Sequence, residues 1–163
     1  MSQHSIVGGF DTVARPVISD LLGKPCCRQR VGRMRSLSIG VGEKVPHGSP
    51  RMVDDFYGEW EIGTYSAAWR VVRDGRILCG SQDVIDSLAE LDSKLNSVDF
   101  GLVTDVVQIS KFDIRVCFAG ATYVDFISAA SGDDEIFHVF CPGNSCLEYS
   151  AAGGWRLGSS SRP

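Results

Sequence analysis

The side chains most able to act together in chemistry are four arginines within eight residues, preceded by one lysine: Lys24, Arg28, Arg30, Arg33 and Arg35. Each guanidinium offers a rigid fork of N–H donors that fits a phosphate or a carboxylate. One hypothesis is therefore a phosphate, nucleic-acid or small-ligand site on this strand and turn. We favour the alternative that carboxylates neutralise these arginines within the fold. The sequence pI is ≈ 5.3, and no aromatic residues interleave the basic ones.

Acidic residues form two short clusters, Asp54-Asp55 and Asp133-Asp134-Glu135. Both lie beside Gly or Pro, which predicts solvated loops. General acid–base catalysis needs carboxylates in contrasting environments, and nothing in the sequence indicates such a contrast. We expect these five residues to contact a partner rather than to catalyse a reaction.

Charge is divided unevenly along the chain. Residues 1–52 carry a net charge of +5, whereas residues 53–163 carry −9, and the total is −4. Fields of opposite sign speed the association of complementary surfaces. The sequence therefore predicts an acidic face that attracts a basic protein partner, and it argues against nucleic acid.

Metal ligands and nucleophiles give weaker patterns. His138, Cys141 and Cys146 come close together in the sequence, but there is no CxxC pair of the kind that preorganises a zinc site. The segment GNSCL at 143–147 falls in a predicted hairpin turn, and VGEK at 41–44 lacks the spacing of a phosphate-binding loop. We predict no catalytic residue, no metal and no cofactor.

The expected compartment is the cytoplasm. The first ten residues lack the basic and apolar regions of a secretory signal. No apolar run approaches the roughly 20 residues needed to cross a bilayer. The six cysteines stand mostly in apolar runs typical of strands, so we expect them to be reduced and to behave as small hydrophobic side chains.

The elements that must position these residues follow from apolar periodicity. For the first half it predicts a short helix that Pro16 begins and Gly23 ends, strands at 26–31 and 36–41, a long loop at 42–57, and a three-stranded meander at 60–65, 67–72 and 76–80. For the second half it predicts a helix over 83–95 with Val84 on its core face, then strands at 103–109, 112–118, 122–128, 135–141 and 145–150, with a short closing strand at 153–158.

The order of elements repeats, which predicts an internal duplication of a helix-and-meander unit. Segments 58–72 and 134–150 are matched in this comparison. We expect an α+β fold: one pseudo-duplicated domain at 13–157, with halves 13–80 and 81–157 and loose ends at 1–12 and 158–163. Two helices would pack on mostly antiparallel sheet, and a partly closed barrel is one form this could take.

Three aromatic residues lie within ten positions, Trp60, Tyr65 and Trp69. They could form a binding surface or fill a core. In the matched second-half segment, aliphatic or Phe residues stand where the tryptophans do, and each large ring buries roughly 150–250 Å². We therefore expect Trp60 and Trp69 in the core, and whether the three rings line a pocket stays open.

The runs LLGKPCCRQRVG and GEWEIGTYSAAWRVVRDGRILCGSQD, followed by a capped helix, carry a family resemblance. Over residues 17–157 the chain resembles small uncharacterised bacterial proteins of the domain-of-unknown-function kind, which often stand among immunity-like genes. The resemblance implies a non-enzymatic, immunity-like binding protein whose partner would be a basic toxin. It supplies no catalytic residues.

Overall fold

A computed structural model describes residues 5–160 of the chain. Within this range the strands are β1 Ile6–Gly8, β2 Cys26–Val31, β3 Leu37–Pro46, β4 Phe56–Thr64, β5 Ala68–Arg73, β6 Arg76–Gly80, β7 Val103–Ser110, β8 Asp113–Phe118, β9 Thr122–Ile127, β10 Phe137–Cys141, β11 Ser145–Ser150 and β12 Gly154–Ser159. The helices are α1 Arg15–Leu21 and α2 Leu88–Asn96, with a π-helical turn at Phe10–Ala14 and a 3-10 turn at Arg33–Arg35. The fold is α+β and mostly antiparallel sheet.

The strands form two antiparallel sheets. The seven-stranded sheet has the order β1-β12-β11-β10-β4-β3-β2, and the five-stranded sheet has the order β6-β5-β9-β8-β7. Buried residues from both sheets and both helices make one continuous core. Phe126 of the five-stranded sheet meets Phe137 of the seven-stranded sheet edge to face, with ring centroids 5.1 Å apart.

Cross-strand rows of apolar side chains hold each sheet to the core. In the seven-stranded sheet, neighbouring strands pair Ile39, Ile62, Val139, Leu147 and Leu157 in one row. Successive side chains of a strand point to opposite faces. The residues between these positions therefore lie on the outer face, and the outer face carries most of the polar chemistry.

The two halves have the same topology. In the first half, α1 precedes a meander of β2, β3 and β4, and the hairpin β5-β6 then crosses to the other sheet. In the second half, α2 precedes a meander of β7, β8 and β9, and the hairpin β10-β11 crosses back. Each hairpin pairs with the last meander strand of the other half, β5 with β9 and β10 with β4.

This topology shifts the expected match between the halves. β4 corresponds to β9 and β5 to β10. The sequence comparison matched 58–72 with 134–150, which sets β4 against β10 and β5 against β11 and is therefore displaced by one strand. The boundary expected near residue 80 falls between β6 and α2. Descent of both halves from one duplicated unit stays a hypothesis.

The meander predicted at 60–80 is wrong. β4 belongs to the seven-stranded sheet, whereas β5 and β6 belong to the five-stranded sheet. The chain crosses between the sheets at residues 65–67. Alternating apolar residues specify which face of a strand is buried, but they do not specify which strand lies beside it.

Both expected loose ends contain paired strand within the described residues. β1 pairs with β12, and β12 continues to Ser159. Short strands with few apolar residues show little apolar periodicity in the sequence. Pairing at this edge of the sheet satisfies the hydrogen-bonding groups of their backbone. The expectation for residues 1–4 and 161–163 lies outside the described part of the chain.

The second helix is shorter than predicted. It begins at Leu88 with Ser87 as its N-cap, and Val84 lies before it, exposed. The stretch Ser87-Leu-Ala-Glu90 has the spacing of an N-terminal capping sequence, and it overrides the apolar spacing that pointed to residue 83.

The predicted loop at 42–57 is shorter as well. β3 continues to Pro46 and β4 begins at Phe56. The register between these strands shifts between Val41 and Lys44. Gly42 lies there with a φ of 89°, a left-handed conformation that glycine adopts readily. The bulge interrupts the alternation of apolar and polar residues, so the alternation does not predict the part of β3 that follows the bulge.

The two sheets do not form a closed barrel. An isolated bridge between Pro25 and Leu102 joins them beside β2 and β7, whereas β1 and β6 are edge strands. Between residues 5 and 160, neither helix has the length and apolar character required to cross a membrane.

Candidate functional site

Arg28 and Arg30 are engaged by carboxylates on the outer face of the seven-stranded sheet. The Arg28 guanidinium donates to Asp54 at 2.9 Å and to Glu61 at 3.2 Å, and its side chain is only 9% exposed. Glu61 lies between the core residues Trp60 and Ile62, so its side chain points outward, yet it is buried. It also accepts hydrogen bonds from Ser38 Oγ and Gly58 N.

Arg30 extends the same cluster to α2. It donates to Asp54 at 3.0 Å and to Asp92 at 2.9 Å. The hydrogen bond from Arg30 holds the pKa of Asp54 below its ordinary value, and the same contact raises the pKa of Arg30. Two of the four arginines are therefore neutralised inside the fold, the alternative that the sequence favoured.

The remaining two arginines do not complete a phosphate site. Arg35 donates through Nη1 to the backbone carbonyls of Ser81 and Asp83. Its own carbonyl accepts from Trp69 Nε1 at 2.8 Å. Arg33 is exposed on the turn. The structure thus leaves one guanidinium of the expected four exposed.

The five-stranded sheet carries an equivalent buried acid. Asp125 of β9 stands where Glu61 stands on β4, on the outer face of the strand that receives the crossing hairpin. It accepts from Arg70 at 3.0 Å and from Arg115 at 2.7 Å, and the pKa of Arg115 is raised by the hydrogen bond to Asp125. Each half therefore holds one buried carboxylate bound by arginine.

The five acidic residues expected on one face lie at two ends of β4. Asp55 directly precedes β4, whereas His138, three residues after Glu135, pairs with Gly63 near the other end of that strand. A strand rises about 3.3 Å per residue, so roughly 25 Å separate the two groups. Asp54 accepts hydrogen bonds from Arg28 and Arg30, whereas Asp55 is exposed to solvent.

The group at 133–135 lies among depressions of the surface. Three adjoining depressions share residues of the connection between β9 and β10. One of ≈ 220 Å³ is lined by Ser66, Gln82 and Glu135, and one of ≈ 390 Å³ by Asp133, Asp134, Glu135, Glu148 and Arg156. A third of ≈ 540 Å³ extends to Phe112. We call Asp133, Asp134, Glu135 and Glu148 the acidic end.

Glu135 is the least satisfied group of the acidic end. Its Oε1 lies 3.1 Å from Nδ1 of the buried His138. Its Oε2 is buried and has no hydrogen-bond partner among the residues described. Leaving a buried carboxylate oxygen without a donor is costly.

Tyr65 covers the same histidine from the solvent side. The rings of Tyr65 and His138 are 4.7 Å apart, and Tyr65 is 59% exposed. Desolvation raises the pKa of Tyr65, and the charge of Glu135 adds to it. Glycine at position 63 leaves room for the histidine, because a side chain there would clash with the carbonyl oxygen of Leu37 and lie 3.2 Å from His138 Nε2.

The other sequence candidates lie elsewhere. Trp60 and Trp69 are buried in the core, as expected. Trp60 also lines a ≈ 360 Å³ depression with Val17, Ser145 and Leu157, and its indole N–H has no acceptor among residues 5–160. Within the same range, no three metal-ligating side chains come together.

The six cysteines form no disulfide. Desolvation by burial raises the pKa of the Cys26 and Cys146 thiols to about 12 and that of Cys79 to about 11. A high pKa keeps a thiol protonated at neutral pH, and the thiolate is the reactive form. These three side chains therefore behave as small hydrophobic groups.

No pattern in the sequence predicts the two buried acids. Glu61 and Asp125 each stand in the middle of an apolar alternating strand, in the triplets Trp-Glu-Ile and Val-Asp-Phe. A single acid at such a place is ordinary for a solvent-facing position. Only the arginines on neighbouring strands show that it is buried and paired.

No known protein family, curated protein or solved structure matches the chain. The resemblance to small immunity-like bacterial proteins therefore stays a hypothesis.

Proposed function

We propose that this protein is a small non-enzymatic binding protein that holds a basic protein partner at the acidic end. The observation that supports this most directly is the buried Glu135 Oε2, which has no donor among the described residues. A lysine or arginine of the partner would supply one once the connection between β9 and β10 shifted to uncover this oxygen, and a charged hydrogen bond of this kind is among the stronger polar contacts.

The surroundings of Glu135 favour a protein side chain as the bound group. Tyr65 offers an exposed ring beside it, and tyrosine is common among residues that dominate binding energy at interfaces. Asp133 and Asp134 are exposed on the same connection. Their charge would accelerate the approach of a basic surface without entering the contact itself.

The immunity-like role is the biological form of this proposal, with a basic toxin as the partner and the cytoplasm as the compartment. Many proteins that act on nucleic acid are basic, because they must bind phosphates. Six cysteines that form no disulfide support a reducing compartment. The phosphate-binding alternative at Arg28–Arg35 has less support, since Arg28 and Arg30 are already bound by carboxylates.

Selection from a library of random peptides displayed on phage tests the proposal. We expect the wild-type chain to enrich peptides that contain Lys or Arg next to an aromatic or apolar residue. Glu135→Gln should weaken the affinity of these peptides at least about tenfold, because it removes the charge of the acceptor. Circular dichroism checks that the variant is folded.

Asp55→Asn is the matched control. It removes a negatively charged side chain at the far end of β4 and should leave affinity unchanged. In Asp133→Lys/Asp134→Lys, association should slow at low salt, and the difference from wild type should shrink toward 1 M salt, where the Debye length is about 3 Å. Enrichment of peptides without basic residues, or equal affinities for wild type and Glu135→Gln, would refute the proposal.

A further inference from the structure

The two sheets differ at equivalent edges. In the seven-stranded sheet, the crossing hairpin ends with β11, and β12 and then β1 continue the sheet beyond it. In the five-stranded sheet, the equivalent hairpin ends with β6, and the sheet stops there. An edge strand presents unpaired N–H and C=O groups that can pair with another strand.

β12 also covers apolar surface next to α1. Trp155 is buried, and Leu157 packs against the core and lines a depression with Pro16 and Val17 of α1. The pairing of β12 with β11 is antiparallel. The seven-stranded sheet thus shows what fits such an edge: an antiparallel strand whose apolar side chains lie beside a helix.

Equivalent apolar side chains next to β6 are uncovered. β6 contacts α2. Four large hydrophobic residues on β6, on the segment after it and at the start of α2 are exposed: Ile77 by 61%, Leu78 by 39%, Val84 by 98% and Leu88 by 39%. We call these four residues and the free edge of β6 the β6 edge. Exposed apolar residues beside an unpaired strand are typical of an interaction surface.

We propose that the β6 edge pairs with the β6 edge of a second copy of this chain. Two β6 strands related by a two-fold axis run antiparallel, as β11 and β12 do, and such a contact is self-complementary. With Leu78, where the register of β6 shifts, on the axis, the start of one β6 at Arg76 lies beside the end of the other at Gly80. The segment that leaves Gly80 carries Asp83, which pairs with Lys94, and the exposed Asp86, so the exposed Arg76 lies toward the negative charge of Asp86.

The self-complementary charge is the reason for choosing a second copy over a foreign strand. Arg76 is the first residue of β6, and Asp83 and Asp86 follow its last residue. In an antiparallel pair, the start of each β6 lies beside the end of the other, so Arg76 of each copy lies toward the acidic segment of the other copy. The patch is small, and small interfaces are generally weak or transient. We therefore expect a dimer that dissociates on dilution.

Sedimentation velocity of the full chain over a range of concentrations measures this association. The wild type should form a dimer whose population rises with concentration, and Ile77→Lys should weaken dimerisation at least about tenfold, because it places a charge in the apolar contact. Ile109→Lys, at another exposed hydrophobic residue, on β7, is the matched control and should still dimerise. Thermal unfolding followed by circular dichroism checks that both are folded.

Two further measurements locate the contact. Arg76→Glu and Asp86→Arg should each weaken the dimer, and the double variant should recover it, because the two charges exchange places. Hydrogen exchange at the amides of Ile77 and Leu78 should slow as concentration rises. A wild type that stays monomeric at about millimolar concentration, or a dimer that Ile109→Lys disrupts and Ile77→Lys does not, would overturn the proposal.

Discussion

At the scale of single residues, the outer face of the seven-stranded sheet is organised by carboxylates that bind arginine. Asp54 receives hydrogen bonds from Arg28 and Arg30, and the Arg28 side chain is almost wholly buried. Removing one partner from such a cluster leaves a buried cation less well paired, which costs more than an exposed ion pair is worth. Asp54 therefore contributes to stability rather than to binding.

Asp54→Asn should lower the free energy of unfolding by about 2 kcal/mol at pH 7. The pKa of Asp54 is lowered from its ordinary value of 3.8, chiefly by the hydrogen bond from Arg30. The stabilisation is therefore complete above pH 3.8 and is lost as pH falls through the lower, folded value. Urea unfolding at pH 7 and pH 3 should show the difference from wild type shrinking at the lower pH.

Asp55→Asn removes the neighbouring exposed carboxylate and serves as the control. It should change the free energy of unfolding by less than about 0.5 kcal/mol. Equal effects of the two substitutions would mean that the contacts of Asp54 with the arginines contribute nothing to stability.

At the scale of elements, the start of α2 is set by one side chain. Ser87 Oγ accepts a hydrogen bond from Glu90 N at 3.3 Å, and Glu90 Oε2 accepts from Asp86 N at 2.9 Å. These contacts satisfy backbone donors that the first turn of a helix leaves free. They fix where α2 begins and so leave Val84 outside the helix, next to the β6 edge.

Ser87→Ala should lower the free energy of unfolding by about 1 kcal/mol, because the first turn of α2 loses its cap. Ser93→Ala, an exposed position within the same helix, should be neutral or slightly stabilising, since Ala is the better helix former. Urea unfolding of both variants makes the comparison. A loss at Ser93 as large as at Ser87 would show that the cap is not the cause.

At the scale of the whole molecule, the exchanged hairpins make the two halves depend on each other. β5 pairs with β9 and β10 pairs with β4. A half without its counterpart would leave the buried faces of its hairpin, such as Trp69 and Val71, with no meander to pack beside. The halves are thus topological repeats but not separate domains.

Fragments 1–80 and 81–163 should therefore each lack cooperative structure and should form the native fold when mixed. Hydrophobic burial is the main favourable term in folding, and neither half buries its core alone. Far-UV circular dichroism and thermal unfolding of each fragment and of the mixture test this. Cooperative unfolding of either fragment by itself would contradict the interdependence of the halves.

Much of the local structure could be predicted, and the reasons for the failures are specific. Alternation located the interiors of the strands around Trp60, Trp69 and Phe137, but it missed β1, which has three residues, and the part of β3 beyond the bulge at Gly42. For the candidate site, the sequence singled out 133–135. It did not show that Glu135 has a buried free oxygen or that Asp54 is bound by arginines, because both depend on neighbours distant in sequence.

By itself, the order of apolar and polar residues determined that this chain makes two short helices and many strands, and which side of most strands faces inward, because a side chain alternates faces at every step along a strand. Only the tertiary structure decided which strands are neighbours. Pairing depends on where the chain crosses from one sheet to the other. The alternation of apolar residues in β4 and β5 would be the same if the two strands were neighbours in one sheet, so the sequence does not show that they belong to different sheets.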